Sequence, residues 1–161
     1  MSTYSDCYRI FMEKWTHPDY RPSPIPDQDL DNLEVKLQSR LPLSYRAFLR
    51  QYGPAHTVLA LLSNIVEQSL EITDLSEFLK PDQVIELTNG WKPLGLPSDC
   101  IAIATNCCGS LFCFKSIDLE SSPIEDAAVW FFDHDWGETN QVFGSFQEWI
   151  CHFAKIEKVM A

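Results

Sequence analysis

Three apolar runs close together constrain the fold more than any other feature of the chain: CIAIAT (100–105), SLFCFKSI (110–117) and AAVWFFD (127–133). All three are rich in β-branched and aromatic residues. NCCG joins the first two, and a connection this short, with Gly109 in it, reads as a hairpin. DLESSPIED joins the second to the third and carries turn-forming residues throughout. The expected unit is an antiparallel meander.

The flanking segments read as helices. In YSDCYRIFMEKW (4–15), Tyr8, Phe11, Met12 and Trp15 recur at helical spacing. The prolines of HPDYRPSPIP mark an extended connector. Leu30, Leu33 and Leu37 share one face of the next segment, whose start is crowded by Asp27, Asp29 and Asp31, where the helix dipole favours negative charge. LPLSYRAFLRQYGP has the clearest punctuation: Pro42 suits a first turn, Tyr45, Phe48, Leu49 and Tyr52 form a stripe, and Gly53 with Pro54 stops it. TVLALL fits a buried strand or a short apolar helix. Residues 74–89 look mostly helical, interrupted at Pro81, and GWKPLGLP looks like a loop. A closing helix starts at Ser145, with Glu148 three residues on as a capping box and Phe146, Trp149, Ile150 and Phe153 as its buried face. Helices, then a meander, then a helix imply an α+β fold rather than a parallel α/β sheet.

The 161 residues suit one domain spanning 1–161, and 45% hydrophobic residues give a globular composition. No apolar run approaches the ~20 residues of a membrane helix, and the N-terminus lacks the features of a signal peptide. The six cysteines include no CxxC pair, and several lie within apolar runs, so free thiols in a cytoplasmic protein are expected. Twelve Lys and Arg against 23 Asp and Glu give a net charge of −11. That argues against nucleic-acid binding and permits attraction to a basic partner.

FFDHDWGETN (131–140) concentrates groups that bind metals or move protons: Asp133, His134, Asp135 and Glu138. In an extended run Asp133 and Asp135 face together with His134 turned away, a thin ligand set. Asp133, Asp135, Gly137 and Asn140 are also turn formers, and a turn linking a buried strand to the next helix is the preferred reading. Trp136, if exposed, points instead to a partner-binding loop. Cys107 or Cys108 with His134 and an Asp would make a thiol hydrolase, but no helix N-terminus follows to lower the thiol pKa. His17, His56 and His152 are scattered, and no phosphate-cradling loop is present.

Leu41, Pro42, Tyr45, Phe48, Leu49 and Gly53, the hairpin CIAIATNCCGSLFCF, and AAVWFFDHD followed by SFQEWI together resemble the SMI1/KNR4 (SUKH) superfamily. Tyr52 stands where Asn is common, and Cys108-Gly109-Ser110 where relatives often have Gly-Gly-Asp. The resemblance implies helices packed on a central, mainly antiparallel sheet, and function by binding rather than catalysis, with no cofactor or metal. Many bacterial members are cytoplasmic immunity proteins that neutralise toxins delivered by neighbouring cells, often basic nucleases. Others are regulatory modules with cellular protein partners. On this view the partner is a cognate toxin domain, not nucleic acid or a membrane, and the protein is a monomer or weak dimer. The expected contacts lie in two loops bordering the sheet: Asp118, Glu120, Glu125 and Asp126 in the first, Asp133, Asp135, Trp136 and Glu138 in the second. Further acids weighed as contacts are Asp27, Asp29, Asp31, Glu67 and Glu71.

Overall fold

The computed structural model describes residues 4–161, and in it the three apolar runs form neighbouring antiparallel strands: β2 (Cys100–Thr105), β3 (Leu111–Lys115) and β4 (Val129–Asp133). Two strands that the hydrophobic pattern does not reveal extend the sheet on either side. β1 (Glu77–Phe78) pairs with β2, and β5 (Glu138–Phe143) pairs with β4, giving the order β1-β2-β3-β4-β5. Every pairing is antiparallel, so the architecture is the expected α+β.

The helices are α1 (Tyr4–Trp15), α2 (Asp27–Leu37), α3 (Leu43–Gln51), α4 (Leu59–Glu67), α5 (Pro81–Trp91) and α6 (Phe146–Lys155). TVLALL therefore contributes to a helix, not a strand. Pro81 does not interrupt a helix; it is the first residue of one, where its missing N–H costs nothing, and the residues before it run as strand β1. The expected GWKPLGLP loop begins as the end of α5 and a 3-10 turn at Lys92–Leu94. Gly53 ends the α3 segment at φ +86°, and a Cβ there would collide with the Ser23 carbonyl, so the connector after α1 lies directly on this glycine.

An aromatic cluster fills the space between helices and sheet. Phe146 of α6 has six ring neighbours with centroids 5.5–6.2 Å away: Tyr8, Tyr45, Phe48, Phe78, Phe114 and Trp149. They come from α1, α3, β1, β3 and α6 itself, so one side chain ties together five elements. α1 and α6 pack side by side, and the Trp15 indole N–H donates to the Phe153 carbonyl at 2.9 Å. Cys7 and Cys151 meet at this contact and form a disulfide with Cα atoms 4.9 Å apart, correcting the expectation of six free thiols. A sequence separation of 144 hides that pairing from any local pattern. Cys100, Cys107, Cys108 and Cys113 remain free.

Arg46 of α3 holds α2 in place, reaching Glu34 at 2.6 Å, Asp31 at 2.8 Å and Asp27 at 3.4 Å. The acidic start of α2 is thus partly neutralised from within.

Tyr45 is fully buried, and its hydroxyl has no hydrogen-bond partner among the described residues. An unpaired buried hydroxyl costs free energy. Replacing it by Tyr45→Phe is expected to leave the fold intact and raise unfolding stability by about 1 kcal/mol, measured by urea denaturation. The same burial pushes the Tyr45 phenol well above its ordinary value. The unfolded phenol ionises near pH ~10 while the folded one keeps its proton, so this contribution is fully present below that pH and is lost as pH rises from there through the higher folded value. Wild-type stability should therefore fall more steeply in alkali than that of the Phe variant.

Candidate functional site

The sheet register sets the two hairpin tips side by side. Leu111 pairs with Phe132, so the β2–β3 turn (106–110) abuts the β4–β5 turn (134–137). Within the second turn Asp133 accepts the Asp135 N–H at 3.0 Å on its carboxylate and the Gly137 N–H at 2.8 Å on its carbonyl, and Gly137 takes φ +67°. Residues 134–137 are a turn, as expected, but it leads into strand β5 rather than a helix, and Asn140, expected as a turn former, pairs with Phe131 inside that strand.

That turn also corrects the expected direction of His134. The chain is not extended here, and Asp133, His134 and Asp135 place ligand atoms within 4.8 Å of one another. His134 Nδ1 is hydrogen-bonded to Ser110 Oγ at 2.7 Å, and its Nε2 lies 3.4 Å from Asp135. Its ring also meets the edge of Trp91, with centroids 5.6 Å apart. One ring nitrogen and one Asp133 oxygen are therefore already engaged, and among the described residues no fourth His, Cys, Asp or Glu completes the set. A Ser–His–Asp line exists, but Ser110 is only 3% exposed and its hydroxyl also accepts the His134 backbone N–H at 3.2 Å. The contact fastens one hairpin tip to the other.

The thiol route is no better served. Cys107 and Cys108 sit in the exposed turn with sulfurs 3.6 Å apart. Desolvation, the hydrogen bond to Cys108 and the nearby Asp74 carboxylate push the Cys107 thiol up to about 12, the wrong direction for a nucleophile. Asp74 also accepts the Cys107 backbone N–H at 3.0 Å. The best-formed cleft, about 650 Å³, lies elsewhere, between the 20–25 connector, α2 and the start of α5. It mixes Arg21, Lys36 and Lys80 with Asp29 and Asp82, and its His56 leans 3.4 Å from Glu77.

The eight residues expected to touch a partner separate into two kinds. Asp118 accepts the Trp130 indole N–H at 2.8 Å, and Lys115 stacks 4.5 Å above that indole. Asp126 accepts from Ser44 Oγ at 2.7 Å and from the N–H groups of Ala127, Phe146 and Gln147 at 2.8, 2.9 and 3.3 Å. Both carboxylates are thus committed within the fold. Asp133 shapes its own turn. Glu120, Glu125, Asp135, Trp136 and Glu138 are exposed, and Trp136 keeps 79% of its surface open to solvent.

Asp126 plays a part that local sequence patterns did not show. The first four N–H groups of α6 have no partner within the helix. Asp126 takes those of Phe146 and Gln147, while Ser145 takes those of Glu148, through its side chain, and Trp149, through its carbonyl. Just before Asp126, the carbonyls of Ile124 and Glu125 accept the N–H groups of Leu43 and Ser44 at the start of α3. One short segment satisfies two helix N-termini. Its only sequence signal is an Asp whose partners lie 20 and 82 residues away.

Charge is distributed very unevenly around this region. Between Lys115 and Lys155 the chain has eight acidic residues and no Lys or Arg. That stretch forms β4, β5, both candidate loops and α6. The stretch contributes eight of the 23 acidic residues and no cation of its own, while Lys115 stacks on its Trp130 and Arg40 donates to its Ser122.

No described helix is long and apolar enough to cross a membrane. None of the curated proteins compared with the chain matches it. The SMI1 / KNR4 family (SUKH-1) matches residues 24–152, from the connector before α2 to the last turn of α6. The match takes in the meander, the Leu41–Gly53 helix and the Ser145-capped helix in one continuous span, and the chain belongs to the SMI1/KNR4 family, SUKH-1.

Proposed function

We propose that this protein is a non-catalytic, cytoplasmic immunity protein that works as one domain, binding a cognate toxin domain and blocking it stoichiometrically. The observation that carries this reading is the uninterrupted anionic stretch between Lys115 and Lys155, with the exposed Trp136 at its hairpin tip. A toxin that cleaves nucleic acid needs a basic surface to grip phosphates, and an acidic protein steers onto that surface and covers it. Trp136, Asp135 and Glu138 form the centre of the contact at the β4–β5 tip, and Glu120 and Glu125, on the β3–β4 connection at the opposite end of those strands, offer a second acidic contact. In the reducing cytoplasm thiol systems oppose the Cys7–Cys151 bond, and the aromatic packing of α1 on α6 then carries that junction.

The test is co-expression with the toxin-like domain encoded beside the gene. Growth is expected to recover, and a one-to-one complex to co-purify. Trp136→Ala, at a side chain that is 79% exposed, should leave thermal stability nearly unchanged and weaken the complex by about 2 kcal/mol, roughly 30-fold. Association should slow as salt rises from low to physiological. No rescue and no complex, with both proteins folded, would refute that pairing.

A further inference from the structure

We infer that β5 is a docking edge: it captures an extended, cationic segment of the partner protein as a sixth strand of the sheet. The inference rests on the partner-binding reading above and adds the mode of binding.

β5 is the outer strand on the β4 side, and among the described residues its backbone makes no hydrogen bond except to β4. The N–H and C=O groups of alternate β5 residues, those turned away from β4, therefore line an open rim. Edge strands are normally protected by Lys, Pro, a bulge or a covering element; β5 is Glu-Thr-Asn-Gln-Val-Phe, with no Lys and no Pro, and its bulge falls at Val142, leaving Glu138–Gln141 in regular register. Glu138, Asn140, Gln141 and Val142 are exposed along it. The other end of the sheet is β1, only two residues long and too short to template a strand.

Charge selects the occupant. A second copy pairing through β5 would add a strand whose one charge is Glu138 and whose turn carries Asp135, so it would bring no cation to meet these acids. A strand carrying Lys or Arg on alternate positions would instead meet Glu138 and Asp135. Its backbone would supply the ladder that β5 lacks, while Trp136 would cover one end of it. Backbone pairing provides affinity, and the alternate side chains provide selection.

The experiment uses the whole protein and a synthetic peptide of alternating Lys and Val. Two further peptides of the same sequence carry N-methyl groups on alternate residues, one set on each edge of the strand. Charge is unchanged, but each loses the backbone donors of one edge. The parent is expected to bind and to slow amide exchange in β5 about tenfold, and one N-methylated peptide, not the other, should bind about tenfold more weakly. If both N-methylated peptides bind like the parent, or if protection falls elsewhere, charge alone holds the peptide and strand addition is refuted. Absence of binding at millimolar peptide also refutes it. The immunity reading has its own readout: a toxin neutralised in a complex whose β5 amides stay unprotected would keep that reading and reject this one.

Discussion

Phe146→Ala unfolds well before the wild-type protein: the expected cost is about 3–5 kcal/mol, which for a domain of this size lowers the melting temperature by roughly 10 °C. The ring is fully buried and touches six other rings, so truncation leaves a void bordered by α1, α3, β1 and β3. Those walls belong to different elements fixed by their own hydrogen bonds, so they cannot close in without moving the sheet against the helices. Phe146→Leu restores most of the volume and should recover more than half of the loss. Calorimetry of the two variants checks this. If Phe146→Ala melts within a degree or two of wild type, the aromatic cluster is not the joint between helices and sheet.

Asp126→Ala should be nearly as damaging, at about 2–4 kcal/mol, although Asp126 lies in an acidic surface loop. The substitution removes the acceptor for Ser44 and for the first two N–H groups of α6. It also removes a negative charge from beside two helix N-termini, where such charge is favourable. Asp126→Asn retains one oxygen and should lose only about 1 kcal/mol. Its neighbour Glu125 offers the contrast: its side chain is exposed and only its backbone is used, so Glu125→Ala should be silent in stability. Urea denaturation of the three variants separates structural acids from those free to meet a partner. Equal effects at 125 and 126 would overturn the assignment.

These two residues show where sequence reading succeeds and where it stops. Phe146 was visible because Ser145 and Glu148 announce a helix start, and the apolar positions after them repeat at helical spacing. The central strands were visible because burial on both faces writes continuous apolar runs: β2 is buried at five of its six positions. β5 was invisible for the opposite reason. As an edge strand it is mostly solvent-exposed, and its polar composition carries no period of two. β1 is too short to show any period, and Pro81 just beyond it looked like an interruption because a helix was expected on both sides. Of the candidate contacts, the exposed Trp136, Asp135 and Glu138 stand where the turn chemistry placed them. Asp118, Asp126 and Arg46's acidic partners were indistinguishable by sequence from free surface charges, because their partners are set by tertiary folding.

The pairing of α1 with α6 has a consequence for how the chain is made. Synthesis delivers α1 about 130 residues before α6, so at ~5–20 residues per second the face bearing Tyr8, Phe11 and Trp15 waits roughly 10 s or more for its partner. During that interval three of the largest core side chains rest against α3, β1 and the 55–58 segment, through Phe48, Phe78 and the Val58 N–H that bonds the Trp15 carbonyl. α6 closes the core on α1 only after the other described core elements have been made, and a ribosome stalled before residue 146 would hold a chain whose α1 is still sticky. Chaperone demand during translation should therefore fall on α1.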